Sequence, residues 1–366
     1  MKLIGTFPAT SSTTDVGKEI VFVSKTSYAK GRDVYEMLGR ESEFSFVPVD
    51  DDEQSLAKRV AESGVRAFIA DVVAYRGPLY DALPAGGVIA RFGVGHDGID
   101  KARATARGLW VLNTPGVLDN AVAEQAVFML GALARNIPRL DRSMKQGAWS
   151  PERGIELQGR SVAVLGFGRI GQRLSRKLAF GFGMEVTAVD MLPESDAAHR
   201  SRHKGVPGFR ADCGHHNYST DIFSALPNAE FVVLLLAATP QTRHLANERF
   251  FRAMRSGARL VNSARGSLVD EAALFGALKS GHLGGAALDV FENEPYLPVS
   301  PEKDLRTLSN LVLTPHTGSN TEESNAAMAE ASGRAVIHAL TKGVGDLDCL
   351  VNRPMPTHPQ GCGASS

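Results

Sequence analysis

The chain has 366 residues, of which 43% are hydrophobic and 22% are charged, and this composition excludes a wholly disordered or collagen-like protein. Forty basic residues balance forty acidic ones, which leaves no net field to attract nucleic acid or an anionic membrane. The longest apolar run, residues 231–238, is too short to span a bilayer. Three dispersed cysteines favour a reducing, cytoplasmic compartment, and the length predicts two domains.

Short apolar segments alternate with helical ones in the first part of the chain. The β-type segments are rich in branched and aromatic side chains and lie at 20–23, 44–49, 67–70, 88–90 and 109–112. Stretches of helical composition separate them. Strands that alternate with helices predict a parallel sheet covered on both faces.

Residues 120–146 then form one long helical segment, in which Pro138 predicts a kink and Gly147 predicts the end. Residues 121–134 are apolar on nearly every side of the helix. Because such a surface must be covered all round, we expect this helix at a domain hinge or a subunit interface.

The alternation of strands and helices restarts in the second half. The β-type segments lie at 161–165, 185–189, 230–236, 259–261, 286–288 and 311–313. A last helix is predicted over 321–342, and residues 351–366 read as a disordered tail. The predicted fold class is therefore α/β, with two doubly wound, Rossmann-like parallel-sheet domains.

A glycine-rich turn gives the most specific local signal. It follows one predicted strand, opens a helix, and contains Gly166, Gly168 and Gly171. A bare match to this pattern often marks only a tight turn. In this context, however, the glycines let the backbone approach a pyrophosphate, whose charge meets the N–H groups of the helix N-terminus. The turn predicts a dinucleotide site.

Asp190 closes the strand that follows this turn, 19 residues after Gly171. A carboxylate at that spacing accepts hydrogen bonds from a ribose 2′-OH and repels a 2′-phosphate. The pattern therefore favours NAD over NADP. Basic residues farther along, Arg200, Arg202 and Lys204, leave the use of NADP open.

Ionisable residues follow three predicted strands of the second half, at the ends where open α/β sheets bind ligands. Arg265 follows the first of these strands, Asp289 and Glu294 follow the second, and His316 follows the third. Arg265, Glu294 and His316 also have purely structural interpretations: a helix start for the arginine, a solvated turn for the glutamate and a hydrogen-bonded turn for the histidine. The three strand ends place a cation, acids and a histidine toward one edge of the sheet, and the family resemblance that follows decides between the two interpretations.

These motifs together resemble the D-isomer-specific 2-hydroxyacid dehydrogenase family. The resemblance covers residues 67–353, with motifs at 91–100, 113–116, 121–124, 166–171, 262–266, 289–295 and 315–316. It implies an NAD-dependent oxidoreductase that interconverts a D-2-hydroxyacid and its 2-oxoacid in an interdomain cleft. The substrate-binding domain would comprise residues 1–118 and 319–350, and the NAD-binding domain 119–318.

The resemblance also implies a role for each ionisable residue. His316 would be the general acid/base, and the negative charge of Glu294 would favour its imidazolium form. Arg265 would anchor the substrate carboxylate and polarise the carbonyl group. Asp289 would bind the nicotinamide carboxamide. The backbone of Gly93, Val94 and Gly95 would hold the substrate carboxylate, and the implied cofactor contacts are Gly166, Gly168, Arg169, Ile170, Gly171, Asp190, Ala264 and Asp289.

Two segments depart from the family pattern. Leu235-Leu236-Ala237 stands where many members carry His-x-Pro, which removes a polar group beside the cofactor. The loop at 72–76 is largely apolar, with Arg76 as its only basic residue, whereas phosphoglycerate-specific members carry several basic residues there. We therefore expect a small or unphosphorylated 2-oxoacid substrate.

The expected partners are this small molecule and a second copy of the chain, because an isologous contact is the commonest way to cover an apolar helix. No metal is expected, since Cys213, His215 and His216 lack a second ligand pair and read as a polar loop. One alternative function stays open. NAD(H)-sensing corepressors resemble the same family, and a sensor of that kind would bind NADH without turning over a 2-oxoacid.

Overall fold

The computed structural model describes residues 17–352, which divide into two compact units. The terminal unit combines the residues up to Val117 with those from Glu322 onward. The middle unit is Leu118–Thr321. Both units are α/β, each with one parallel sheet, which confirms the predicted fold class.

Most of the predicted tail, residues 353–366, lies outside the described residues. Its first two residues instead belong to the terminal unit. Val351 donates its N–H to the carbonyl oxygen of Val111 at 2.8 Å, and the N–H of Val111 donates to the side-chain oxygen of Asn352 at 2.8 Å. The terminal unit therefore includes the first two residues of the predicted tail.

Five parallel strands form the sheet of the terminal unit, in the order β2-β1-β3-β4-β5. They are β1 (Glu19–Ser24), β2 (Phe44–Val49), β3 (Ala67–Ala70), β4 (Val88–Arg91) and β5 (Trp110–Leu112). The helices between them are α1 (Lys25–Glu41), α2 (Glu53–Ser63), α3 (Leu79–Ala82) and α4 (Lys101–Ala106). This order is that of a doubly wound sheet, in which the strand order reverses beside β1.

Seven parallel strands form the sheet of the middle unit, in the order β12-β11-β10-β9-β6-β7-β8. They are β6 (Ser161–Leu165), β7 (Glu185–Val189), β8 (His215–Ser219), β9 (Phe231–Leu234), β10 (Arg259–Asn262), β11 (Gly285–Leu288) and β12 (Leu311–Leu313). The helices are α5 (Asp119–Ala134), α6 (Ile137–Lys145), α7 (Arg169–Arg176), α8 (Glu194–Arg200), α9 (Val206–Cys213), α10 (Ile222–Ala225), α11 (Glu248–Ala253) and α12 (Glu271–Lys279). Successive strand residues face opposite cores, Val232 and Leu234 on one side, Phe231 and Val233 on the other. Such strands are buried on both faces, which is why they read as continuous apolar runs.

The predicted long helix over 120–146 is two helices in the structure. The break falls at Asn136, which adopts a left-handed conformation (φ 54°) just before α6 begins. Pro138 lies in the first turn of α6, where its missing N–H leaves no hydrogen bond unmade. Ten of the sixteen residues of α5 are buried, and the helix packs on α7 and on β10 to β12. The middle unit itself therefore covers most of the apolar surface of this helix.

The segment after Cys213 was predicted to be a polar loop, and this prediction is wrong. It forms β8, an edge strand of the middle sheet, which within residues 17–352 pairs with β7 alone. His216 and Asn217 are exposed while His215 is buried. An edge strand that faces water on much of its surface has a polar sequence, so a search for apolar runs misses it.

The last helix, α13 (Glu322–Lys342), returns to the terminal unit and packs on α1 and β4. Its predicted range is confirmed to within one residue at each end. None of the helices within residues 17–352 has the length and apolar character needed to cross a bilayer.

Candidate active site

The carboxyl ends of all seven strands of the middle unit lie at one edge of the sheet, because every pairing in it is parallel. The residues that the sequence singled out follow the ends of β6, β7, β10, β11 and β12. The strand order reverses between β6 and β9, and ligands of doubly wound sheets bind at that point.

Steric contacts explain why two of the three positions in the turn after β6 are glycine. Gly166 has a φ of 98°, and a Cβ there would lie 2.6 Å from the carbonyl oxygen of Leu235. A Cβ on Gly171 would lie 2.2 Å from the carbonyl oxygen of Gly166. At Gly168, by contrast, no atom of the described chain lies within 4 Å of the Cβ position. The turn is therefore open to an approaching ligand at Gly168.

The helix α7 begins directly after this glycine, with Arg169 and Ile170 as its first two residues. Among the described residues, no side chain caps its N-terminus. Its first N–H groups and its positive dipole end therefore remain available for an anion, as a pyrophosphate requires. The residues of the turn fit a dinucleotide.

Asp190 connects this turn to the loop after β7. One of its carboxylate oxygens accepts the N–H of Phe167 at 2.9 Å, and the other accepts the N–H of Leu192 at 3.3 Å. The acid is half-buried. Its position beside the turn is the one predicted for a ribose-binding carboxylate, although both oxygens already accept backbone hydrogen bonds.

His316 and Glu294 form a hydrogen-bonded pair. The Nδ1 atom of His316 lies 2.7 Å from one carboxylate oxygen of Glu294, and the other oxygen accepts the N–H of Phe291 at 3.0 Å. About a third of each side chain is exposed. Because Nδ1 is engaged by the acid, Nε2 is the nitrogen left to exchange a proton with a substrate.

The electrostatics of the pair favour a charged carboxylate. Burial alone acts to raise the pKa of Glu294, but the hydrogen bond and charge of His316, the N–H of Phe291 and the charge of Arg265 together hold it below its ordinary value. The acid is therefore ionised at neutral pH, where it can stabilise an imidazolium.

Arg265 lies in the loop after β10, and Asn262, the last residue of that strand, holds this loop in place. The side-chain nitrogen of Asn262 donates to the carbonyl oxygen of Arg265 at 2.9 Å, and its oxygen accepts the N–H of Ala264 at 3.1 Å. A Cβ on the next residue, Gly266, would lie 1.8 Å from the carbonyl carbon of Phe291. Glycine is thus required where the loop of Arg265 touches the loop of Glu294, and this contact brings the ends of β10 and β11 together.

Asp289 is 1% exposed and binds the loop that carries the histidine. Its carboxylate accepts the N–H groups of Thr317 at 2.9 Å and Gly318 at 2.8 Å, together with the hydroxyl of Thr314 at 2.5 Å. Its own carbonyl oxygen accepts the N–H of His316 at 2.7 Å. These bonds hold His316 in a left-handed conformation, with a φ of 53°. Asp289 therefore shapes the histidine loop, a function that sequence reasoning missed.

The chain is similar to a family of known dehydrogenases. Residues 127–318 match the family model described as the D-isomer specific 2-hydroxyacid dehydrogenase, NAD binding domain. The glyoxylate reductase of Pyrococcus furiosus is 38% identical over 71% of this chain and 74% of its own length. The D-3-phosphoglycerate dehydrogenase of Methanocaldococcus jannaschii is 39% identical over 75% of this chain and 48% of its own.

This chain belongs to the D-isomer specific 2-hydroxyacid dehydrogenase family. A solved structure of the NADPH-dependent glyoxylate/hydroxypyruvate reductase of Sinorhizobium meliloti, in complex with NADP and malonate, has a TM-score of 0.74 and 29% identity to it. That match covers 89% of this chain and 95% of the other. The protein is thus an oxidoreductase of CH–OH donors that uses a nicotinamide dinucleotide.

The segment of the dehydrogenase that lacks the His-x-Pro pattern packs against the glycine turn through its backbone. Leu235 donates its N–H to the carbonyl oxygen of Leu165 at 2.7 Å, and its own carbonyl lies over Gly166. Leu235 and Leu236 each contribute to one of the two cores of the middle unit. The apolar residues at these positions thus extend both cores up to the turn.

In the terminal unit, a buried arginine supports the loop of Gly93, Val94 and Gly95. Arg91 is 7% exposed and donates to the carbonyl oxygen of Phe92, and its guanidinium lies 3.2 Å from where a Cβ of Gly93 would be. Gly93 has a φ of 140°, a conformation that L side chains rarely adopt. Sequence analysis assigned no separate role to this arginine, because an isolated basic residue in a strand does not indicate which loop it will contact.

A second histidine–acid pair supports the loop that carries Glu294. Glu292 and Glu271 exchange hydrogen bonds: the N–H of Glu292 donates to Glu271 at 2.8 Å, and the N–H of Glu271 donates to Glu292 at 3.2 Å. Nε2 of His244 lies 2.8 Å from the other carboxylate oxygen of Glu292. Burial raises the pKa of Glu271, which is 2% exposed. Hydrogen bonds among these three residues therefore help to fix the loop that carries Glu294.

The cluster of possible metal ligands around Cys213 contains a histidine, His203, that the sequence analysis did not consider. Side-chain donor atoms of His203, Asp212 and Cys213 lie within 4.8 Å of one another. Asp212 forms an ion pair with Arg176, however, and burial raises the pKa of the Cys213 thiol to about 11. A cation would have to displace a guanidinium and deprotonate a buried thiol, so the chemistry of this cluster does not favour a metal.

Asp289→Asn tests the function of Asp289 in the histidine loop. An amide would have to place an N–H group against the N–H of Thr317 or Gly318, so we expect a loss of about 1–3 kcal/mol in the free energy of unfolding. Amide hydrogen exchange over residues 314–318 should also become faster. Urea unfolding and exchange mass spectrometry measure the two effects. Asp141→Asn, which removes an exposed acid on α6, is the control, and equal results for the two variants would contradict this function.

Proposed function

We propose that this dehydrogenase reduces a small, unphosphorylated 2-oxoacid to the D-2-hydroxyacid with NADH, and catalyses the reverse oxidation. The hydrogen bond between His316 and Glu294 is the observation that carries the proposal, because it pairs a proton donor with a charged acid. Arg265 supports the proposal, since its positive charge helps to lower the pKa of Glu294. Glyoxylate reductases among the relatives support a substrate of this size.

Three side chains carry the proton and charge chemistry in the proposed mechanism. The nicotinamide, when bound, supplies the hydride that reaches the carbonyl carbon. His316 gives the proton on Nε2 to the carbonyl oxygen, and Glu294 stabilises the imidazolium before this transfer. The guanidinium of Arg265 binds the substrate carboxylate and polarises the carbonyl group. In the oxidation, neutral His316 takes the hydroxyl proton instead.

The two units would divide the binding of the reactants. We assign residues 119–318 to the cofactor, with Gly166, Gly168, Arg169, Ile170, Gly171, Asp190, Ala264 and Asp289 as its contacts. We assign residues 1–118 and 319–350 to the substrate, whose carboxylate would meet the N–H groups of the loop at Gly93, Val94 and Gly95. The positive φ of Gly93 and the buried side chain of Arg91 next to it indicate a loop of defined conformation, which supports this assignment.

An unphosphorylated substrate is proposed because Arg76 is engaged elsewhere. Its guanidinium donates to the carbonyl oxygens of Tyr75 at 3.1 Å, Gly98 at 2.8 Å and Asp97 at 2.7 Å. The two neighbours before it in the loop, Ala74 and Tyr75, carry no positive charge. A phosphate in this loop would therefore have to draw Arg76 away from three hydrogen bonds.

We also propose a homodimer in the cytoplasm. Four large apolar side chains on and after α5 are exposed: Phe128 (69%), Ile137 (55%), Met144 (53%) and Trp149 (83%). Exposed apolar groups of this size, close in sequence, favour an isologous contact. The free thiols of Cys213 and Cys349 are consistent with a reducing compartment.

A substrate screen tests the proposed function. We expect NADH oxidation with glyoxylate, hydroxypyruvate or another plain 2-oxoacid, and a kcat/KM at least tenfold lower for phosphohydroxypyruvate, because loss of the three Arg76 hydrogen bonds opposes phosphate binding. The measurement is the fall in NADH absorbance, repeated with NADPH. A strong preference for the phosphorylated acid would contradict the substrate class. Tight NADH binding with no turnover of any 2-oxoacid would instead favour the sensor function.

Glu294→Gln tests the pairing with His316 through the pH profile of the reduction. The lowered pKa of Glu294 means that its charge is present from well below neutral pH upward, so the imidazolium is stabilised throughout the working range. Without that charge, the alkaline limb of the kcat/KM profile should move to lower pH by about one unit. Glu302→Gln, at an exposed acid later in the same segment, is the control. An unmoved alkaline limb in Glu294→Gln would refute the pairing.

A further inference from the structure

His215 is buried at the start of the edge strand β8, where its neighbours in the strand are exposed. The side chain is 0% exposed, and Nε2 lies 2.8 Å from a carboxylate oxygen of Glu194, which is itself 15% exposed. Glu194 is the first residue of α8 and ends the loop that begins at Asp190. The acid and the histidine therefore connect this loop to β8.

A third residue completes this arrangement from α9. Arg210 donates to both oxygens of Glu194, through Nε at 2.7 Å and through the guanidinium Nη2 at 2.6 Å. Such a bidentate contact fixes the orientation of a carboxylate as well as its position. We call Glu194, Arg210 and His215 the Glu194 clamp. It holds α8, α9 and β8 together at one carboxylate.

The imidazole also packs against the glycine turn. Its ring centroid lies 4.9 Å from that of Phe167, the residue between the first two glycines, at an interplanar angle of 68°. Phe167 in turn donates its N–H to Asp190. Tyr218, whose ring is 6.0 Å from His215, donates its hydroxyl to the carbonyl oxygen of Leu192 at 2.8 Å. The buried ring thus contacts Phe167, which holds one oxygen of Asp190, and connects through Tyr218 to Leu192, which holds the other.

In the clamp, a neutral His215 donates a hydrogen bond to an ionised Glu194. Burial lowers the pKa of His215, and the hydrogen bonds from Arg210 are the main reason that the pKa of Glu194 is lowered. Nδ1 of His215 is buried with no hydrogen-bond partner within the described residues. An apolar side chain would avoid this unmade hydrogen bond, so packing alone does not explain a histidine at this position. The bond from Nε2 to Glu194 does.

We propose that the Glu194 clamp fixes the loop of residues 190–194 and thereby sets the preference for NAD(H) over NADP(H). The inference rests on the proposed contact between Asp190 and the cofactor ribose. The N–H of Leu192 holds one oxygen of Asp190, and Leu192 lies between Asp190 and the clamped Glu194. With the clamp intact, the carboxylate keeps one orientation, accepts from a 2′-OH and repels a 2′-phosphate. Without the clamp, Leu192 keeps its hydrogen bond from Tyr218 but loses the support of Glu194, so the contact that orients Asp190 is weakened.

The clamp residues are positioning residues, because they act through Asp190 and not by contact with the cofactor. Two substitutions at one position separate the hydrogen bond from the packing. His215→Leu fills the site but cannot donate to Glu194, whereas His215→Gln carries an N–H donor at the place of Nε2. Glu194→Gln tests the acceptor side. Glu248→Gln, which disrupts an exposed ion pair with Arg252 on α11, is the matched control.

Fluorescence titration of the whole protein with NADH and with NADPH measures the effect. We expect His215→Leu and Glu194→Gln to raise the Kd for NADH about tenfold and to reduce the ratio of the NADPH Kd to the NADH Kd by a similar factor. His215→Gln should restore most of the ratio, and Glu248→Gln should leave it unchanged. Because a merely structural residue would lower thermal stability without changing this ratio, the ratio is the decisive readout.

Asp190→Ala distinguishes failure of the clamp from failure of the ribose contact on which it rests. If Asp190→Ala leaves both affinities unchanged, the ribose contact is wrong and the proposal falls with it. If Asp190→Ala lowers the ratio while His215→Leu and Glu194→Gln do not, the clamp alone is overturned. Should His215→Leu fail to fold, the ratio measured for Glu194→Gln decides between the two results.

Discussion

The hydrogen bond between Nδ1 of His316 and Glu294 is the interaction on which the rest of the site depends. It joins the loops that follow β12 and β11, two strands that lie side by side in the middle sheet. In the proposed mechanism, the engagement of Nδ1 leaves Nε2 for a substrate, and the charge of the acid beside the ring stabilises the imidazolium. A displacement of either loop by one ångström would break this geometry, so much of the surrounding structure serves to hold the loops still.

Buried polar groups provide that support. Asp289 binds the backbone of the histidine loop, and Glu271 binds the backbone of the glutamate loop through Glu292. Gly266 allows the arginine loop to approach closely enough to touch the glutamate loop. Burying an acid is unfavourable unless hydrogen bonds satisfy it. Acids at these positions therefore fix one conformation of each loop, and the loops gain a rigidity that apolar residues would not give.

Much of the fold could be predicted from the sequence, because strands of a parallel sheet buried on both faces read as short apolar runs. Eleven of the twelve strands within residues 17–352 were found in this way. The exception, β8, is an edge strand whose residues are largely polar, and its buried histidine looked like part of a loop. The break between α5 and α6 was missed because Asn136, in a left-handed conformation, ends the helix before the proline that was expected to bend it.

The site was predictable where a residue follows a strand, and less so where a residue acts from beneath a loop. Strand ends indicated Arg265, Glu294 and His316. The supporting functions of Arg91, Glu271 and Asp289 depend on which backbone groups they reach across the fold, and no local pattern in the sequence gives that information. Asp289 illustrates the difference. The sequence marked it as part of the site, but only its contacts show that it binds the histidine loop.

His316→Ala gives the most direct test of the central claim. Steady-state kinetics of 2-oxoacid reduction, together with fluorescence titration of NADH, separate proton transfer from cofactor binding. The proposed mechanism predicts a fall in kcat on the order of 100- to 10,000-fold with little change in the Kd for NADH. A comparable loss of kcat and of NADH affinity, or a kcat within a few-fold of the wild type, would contradict it.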